Sequence, residues 1–268
     1  MEFITVIGYG LVFVMGGLLG LLGGGGSILT IPILVYFFGI SPLLSTGYSL
    51  FIVGASSSVA VYNYWKERLI NVKVGIVFGV PATGGVLVSR ILILPNLPET
   101  IHLLNIDVSK DRLILLIFAI LVLAISIFMI KSRDATSDTI LQKKENGLSV
   151  IKTLLGGSVL GVITGFVGAG GGFMIVPALI ILTPVTLKES IATSLFIISV
   201  KAIVGFMGDL SAGVQFDWVF LCQLLSITVI GIIIGTKINK YMPVQYLRKG
   251  FGYFVFAMGI FILYKELC

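Results

Sequence analysis

Lys201 stands inside an apolar run, flanked by Val200, Ala202, Ile203 and Val204. An ammonium group near the centre of a bilayer costs roughly 3 kcal/mol on insertion scales and persists where it pairs or binds. The alternative, snorkelling to an interface, suits a residue closer to the end of the run than Lys201 is. Its charge suits an anion. Two glycine clusters supply the complementary chemistry. One reads Gly23-Gly24-Gly25-Gly26-Ser27; the other reads Gly168-Ala169-Gly170-Gly171-Gly172 and leads into Phe173. Glycine costs about 1 kcal/mol relative to alanine inside a helix, so each run ends one. A helix restarting near Ser27 or Phe173 aims free N–H groups back at the break. Such an end carries about half a positive charge and receives anions.

These features define a candidate substrate-binding set. Gly24, Gly25, Gly26 and Ser27 belong to the first break, and Gly170, Gly171, Gly172 and Phe173 to the second. Lys201 supplies the counter-charge. Ser49, Ser56, Thr193 and Ser194 offer hydroxyl hydrogen bonds. The competing reading of the glycines is close helix packing. The competing reading of the hydroxyls is bonding to their own helix carbonyls.

Other chemistries find little support. The single histidine, His102, lies in a polar stretch. The two cysteines, Cys222 and Cys268, have no metal-ligand spacing, so no metal site and no cofactor is expected. Cys222 reads as a small buried apolar residue. Asp209 reads as a solvated helix cap, with a gate or proton site as the alternative. Glu67 and Glu189 read as solvated helix ends. The Gly-x-Gly pattern follows no strand, which removes the dinucleotide reading. No residue set suggests catalysis, so an enzyme is not expected.

The elements that must hold these residues are membrane helices. The chain is 57% hydrophobic and 11% charged, against about 25% charged in soluble domains. The net charge of +6 lies in short loops between apolar runs. It therefore reports topology, not nucleic-acid binding. Residues 3–22 form a span, followed by the first break and a short run at 27–38. Spans at 43–65, 74–94 and 113–130 complete a first half, 1–130. The charged stretch 131–150 reads as a cytoplasmic linker. Residues 151–268 repeat the order, with spans at 151–167, 187–207, 216–236 and 250–264 and a short run at 173–183. The shift that carries Pro32 to Pro177 also carries Gly20 to Gly165 and Ser49-Leu50-Phe51 to Ser194-Leu195-Phe196, which marks a duplication.

Loop charge sets the orientation. The basic loops 66–73, 131–152 and 237–249 go to the cytoplasm; 39–42, 95–112 and 208–215 go outside, with Arg90, Lys110 and Arg112 blurring one of them. Each half then crosses an odd number of times, so the second enters inverted, and both termini lie outside. The expected fold is an all-α polytopic membrane protein with two inverted repeats, each a Gly-broken helical hairpin plus three transmembrane helices. Broken helices in both halves are a secondary-transporter signature.

The chain resembles the TauE/SafE sulfite-exporter family, within the toluene sulfonate uptake permease-like superfamily. The resemblance rests on Gly165 through Pro177, on Thr193-Ser194-Leu195, and on Gly23 through Pro32 with Ser49-Leu50. It covers nearly the whole length. It implies a carrier of sulfur-containing or organic anions in the cell membrane. The halves differ where Tyr48-Ser49 matches Thr193-Ser194 and Ser56 matches Lys201. The resulting expectation is export of sulfite, an organosulfonate or an organic acid by alternating access. Anion channels and, further off, membrane-embedded enzymes are the rivals. The expected partners are a small anion and the lipid bilayer, with homo-oligomerisation left open.

Overall fold

The computed structural model describes residues 2–103, 106–131, 149–168, 170–239, 241 and 244–267. Its first half comprises α1 (Glu2–Leu22), a 3₁₀ segment (Gly23–Leu29), α2 (Thr30–Phe37), α3 (Pro42–Lys66), α4 (Val72–Leu87) and α5 (Lys110–Lys131). Its second half comprises α6 (Val150–Val167), α7 (Gly172–Leu182), α8 (Leu187–Ser211), α9 (Trp218–Asn239) and α10 (Val244–Leu267). Most of the 131–150 linker lies outside the described residues, as does Cys268.

Local chemistry starts and stops these helices where the chain requires it. Pro42 sits in the first turn of α3, where its missing N–H costs nothing. The Asn71 side chain caps α4 by accepting from the Val74 N–H at 3.1 Å. Thr186 and Glu189 form a reciprocal capping box on α8, so Glu189 is a capping residue. α4 does not end at Leu87; it continues as a π-helical segment, Val88–Ile93, and one further turn, Leu94–Asn96. Within the expected polar connector 95–112, an antiparallel hairpin forms between β1 (Thr100–Leu103) and β2 (Ile106–Ser109), with His102 opposite Asp107. Alternation of branched apolar and polar residues over two short runs accounts for it.

The surface and the interior both depart from those of a soluble protein. Phe3, Val6, Val80, Ile151, Leu155 and Val219 are exposed, whereas Ser45, Thr46, Ser49, Ser56, Ser194 and Lys201 are buried. An apolar exterior around an interior that sets polar groups within a hydrophobic core suits hydrocarbon. Six helical stretches among the described residues are long and apolar enough to cross a membrane: Phe3–Phe37, Pro42–Lys66, Val72–Asn96, Val150–Val167, Leu187–Ser211 and Trp218–Asn239. The protein is thus an all-α polytopic membrane protein.

The same contacts occur twice. A Cβ on Gly231 of α9 would meet Phe13 O, Gly17 N and Gly16 Cα; one on Gly85 of α4 would meet Ser158 O, Val162 N and Gly161 C. The shift that aligns the glycine breaks carries Phe13 to Ser158, Gly16 to Gly161 and Gly17 to Val162. So α1 packs on α9 as α6 packs on α4, backbone against backbone through glycine. α3 and α8 pair with each other, as do α5 and α10. Gly47 lies against Asp209 and Gly54 against Ile203, so α3 and α8 run in opposite directions. α2 folds back along α1, with the Tyr9 and Phe38 rings 5.2 Å apart.

Candidate functional site

The two breaks are not alike. The four glycines of the first do end α1, but the chain stays wound as a 3₁₀ segment, and α2 begins only at Thr30. The expected open helix start near Ser27 is therefore absent: Ser27 lies within the 3₁₀ turn, its hydroxyl donating to the Gly24 carbonyl at 2.7 Å. A 3₁₀ turn keeps backbone bonds satisfied in apolar surroundings, which is the physical reason the chain prefers it. The second break is a true interruption. Gly168, Gly170 and Gly171 have φ of 73°, 63° and 66°. That left-handed region costs other residues roughly 1–2 kcal/mol each. α7 then starts at Gly172, as expected near Phe173, and both residues are buried.

The breaks meet each other. A Cβ on Gly24 would fall on the backbone of Gly172, and one on Gly172 would fall on Gly24. One face of α8 runs along this junction. A Cβ on Gly23 would lie 2.9 Å from the Ser194 hydroxyl; Ile198 packs against Gly172; and a Cβ on Gly171 would lie 2.9 Å from Lys201 Nζ. Ser194, Ile198 and Lys201 are spaced i, i+4, i+7, one helical stripe. The equivalent stripe of α3 carries Ser49, Val53 and Ser56, and Val53 packs on Gly170.

Lys201 is 1% exposed. Its ammonium donates to Thr164 Oγ1 at 2.8 Å, and no carboxylate pairs with it among the described residues. An ammonium carries three donors, so this one lies beside the junction with charge to spare. The hydroxyls are less available. Ser56 donates to the Val53 carbonyl at 3.3 Å and Ser194 to the Ile191 carbonyl at 2.8 Å, the back-bonding that competed with a ligand role. Ser49 is buried and its hydroxyl has no partner among the described residues. Thr193 sits elsewhere, accepting from the Asn71 N–H at 3.0 Å and tying α8 to the α3–α4 loop. Gly26 packs back on Met15 and Leu19 of α1, and Gly25 is buried within the 3₁₀ segment.

Sequence reasoning missed one feature and misread two residues. Asp209 is not a solvated cap: it is buried and forms an ion pair with Arg90, Nη1 to Oδ2 3.1 Å, with side chains 1% and 8% exposed. Arg90 also donates to Thr46 Oγ1 at 2.9 Å. The available signal was Arg90 itself, a second cation within an apolar run. Its partner lies 119 positions away, beyond any local pattern. Cys222, expected to be buried, is exposed; on an outward helix face the surrounding apolar medium replaces burial.

Among the described residues, a cavity lies at each end of α3. One, of about 230 Å³, is lined by Gly47, Arg90, Lys110, Asp209 and Phe216 among others. The other, of about 260 Å³, is lined by Asn63, Tyr64, Lys66, Glu67, Thr236 and Lys237.

The model of the family described as "Sulfite exporter TauE/SafE" matches residues 9–262. A "Probable membrane transporter protein" of Xylella fastidiosa is 28% identical over 99% of this chain and 96% of its own length. The "Probable membrane transporter protein YdhB" of Bacillus subtilis is 25% identical over 94% of this chain and 97% of its own length. A relative in Methanocaldococcus jannaschii, also named a probable membrane transporter protein, is 26% identical over 98% of each chain. No solved structure matches the chain. A match across almost every described helix, including both breaks, shows that the chain belongs to the sulfite exporter TauE/SafE family, a family of multi-pass membrane transporters and not of enzymes.

Proposed function

We propose that the protein is a secondary transporter in the cell membrane that exports a small anion, sulfite or an organosulfonate or organic acid, by alternating access. The anion is held at the junction of the two breaks, with Lys201 as counter-charge and the start of α7 supplying N–H donors. The observation that carries this reading is the buried Lys201 ammonium, bonded to one neutral hydroxyl at 2.8 Å, beside the Gly24–Gly172 contact. A cation kept there without a carboxylate is matched by an anion. The repeated contacts of α1 with α9 and α6 with α4, together with the opposed directions of α3 and α8, support inverted repeats that rock about this junction. Loop charge supports a cytoplasmic α3–α4 loop.

The test is sulfite counterflow in proteoliposomes, with affinity measured in detergent. A carrier shows stimulation by sulfite on the opposite side; its absence indicates a channel. Lys201→Met keeps an unbranched apolar stem, one heavy atom shorter, and deletes the charge. It should weaken sulfite binding by roughly 10²- to 10³-fold with the melting temperature preserved. Binding within about threefold of wild type would make Lys201 structural.

A further inference from the structure

The Arg90–Asp209 pair leaves half of its arginine unused. Only Nη1 is engaged: it donates to Thr46 Oγ1 at 2.9 Å and to the two Asp209 oxygens at 3.2 and 3.1 Å. Nε and Nη2 are buried and have no partner among the described residues, in a residue that is 2% exposed. Those two N–H groups form one edge of the guanidinium plane, the fork that receives two oxygens of a single oxyanion. A carboxylate present only to neutralise the arginine gains most by taking that edge. Asp209 takes the other nitrogen instead.

The position of Arg90 adds a route. A Cβ on Gly168 would strike Nη2 of Arg90, and one on Gly171 would lie 2.9 Å from Nζ of Lys201. The second break therefore has a cation against each end. Arg90 also lines the cavity of about 230 Å³, together with Lys110 and Asp209; Lys110 donates to the Leu94 carbonyl. Two cations against one carboxylate make this cavity attractive to anions.

The duplication sharpens the point. The shift that aligns the breaks carries Tyr64 onto Asp209, and the shift that matches Gly85 with Gly231 carries Arg90 onto Thr236. Tyr64 and Thr236 line the second cavity. The two cavities thus occupy equivalent places in the two halves, and the ion pair stands in one of them.

We propose that Arg90 is an anion station at the mouth of the transport path. A small oxyanion entering this cavity is taken by the Nε–Nη2 edge, with Asp209 holding Nη1 on the other side and offsetting the charge, and passes along the second break to Lys201. The edge selects anions with two oxygens on one centre, such as sulfite, a sulfonate or a carboxylate, over a halide. This deepens the transport reading and rests on the Lys201 site.

The test is sulfite binding to purified full-length variants by calorimetry. In a Lys201→Met background, adding Asp209→Asn removes the carboxylate charge that offsets Arg90 and should tighten sulfite binding at least about tenfold. Adding Arg90→Met should abolish that gain, and chloride at equal concentration should not compete. No gain on adding Asp209→Asn overturns the station and leaves the Lys201 site standing. Wild-type affinity in Lys201→Met that is lost on adding Arg90→Met overturns the central site but sustains the station. Where Asp209→Asn fails to fold, Arg90→Lys decides, because lysine keeps the ion pair and lacks the edge. In proteoliposomes its KM for sulfite supplied from the cavity's side should rise about tenfold, with the melting temperature unchanged within about 2 °C. An unchanged KM at that stability makes the pair a structural clamp and overturns the proposal.

Discussion

Gly171 and Lys201 form a single unit. With φ of 66° at Gly171, an alanine there meets roughly 1–2 kcal/mol of backbone strain. Its Cβ would also strike Thr164, the residue that anchors the ammonium, and would lie 2.9 Å from Nζ. Gly171→Ala should therefore lower the melting temperature by several degrees and weaken sulfite binding about tenfold or more. A variant with lowered stability and intact affinity would separate the glycine from the site; a thermal melt beside a titration checks both. Lys201→Arg should retain partial transport, because the charge survives while the planar fork fits a space shaped for an ammonium poorly. These two residues were legible in the sequence because a lysine in hydrocarbon and a run of glycines each break a strong rule. Arg90 broke the same rule but was read as loop charge. Its meaning depends on Asp209, and no local pattern connects two residues 119 positions apart.

At the scale of elements, glycine spacing decides which helices touch. Gly16 and Gly20 lie against Thr228, Ile232 and Gly235 of α9, and Gly161 and Gly165 against Ala82 and Val86 of α4. A leucine at Gly161 must push two backbones apart. Overpacking of this kind costs typically 1–3 kcal/mol, so Gly161→Leu should lower the melting temperature or block assembly. Gly10 on α1 has open space where its Cβ would be; Gly10→Leu should melt with the wild type, and an equal loss in both variants would remove packing as the cause. Helix number and order followed from apolar length and from the polar turns and loops between the runs. The 3₁₀ winding of the first break did not, because four glycines announce the end of an α-helix without saying what replaces it. The π-helical turn that carries Arg90 also left no sequence signal, since its residues are ordinary helix formers.

At the scale of the molecule, the duplication was readable in outline, because a constant shift aligns glycine, proline and serine positions across the halves. It also showed Lys201 against Ser56; what it could not convey is the second inequality, the Arg90–Asp209 pair against Thr236 and Tyr64. The proposed orientation can be checked from outside. In a Cys222→Ser, Cys268→Ser background, cysteines replacing the exposed Lys66 and Ser211 should react differently with an impermeant thiol reagent on intact cells. Ser211→Cys should label and Lys66→Cys should not. Labelling of both, or the reverse pattern, contradicts the loop-charge assignment.

The contact between Gly24 and Gly172 has a mechanical consequence. Packed helices normally lock ridge into groove, so sliding one past another means lifting side chains over side chains. At this one contact the two halves touch through bare main chain, with Ile198 and Val53 pressing on the glycines beside it. In the proposed rocking of one half against the other, this contact would serve as a plain bearing, with the resistance to movement in the side chains around it. A methyl group at either glycine would act as grit. It would slow turnover and disturb the anion site that borders the same contact, and the heavier the drag, the more steeply the transport rate would fall on cooling.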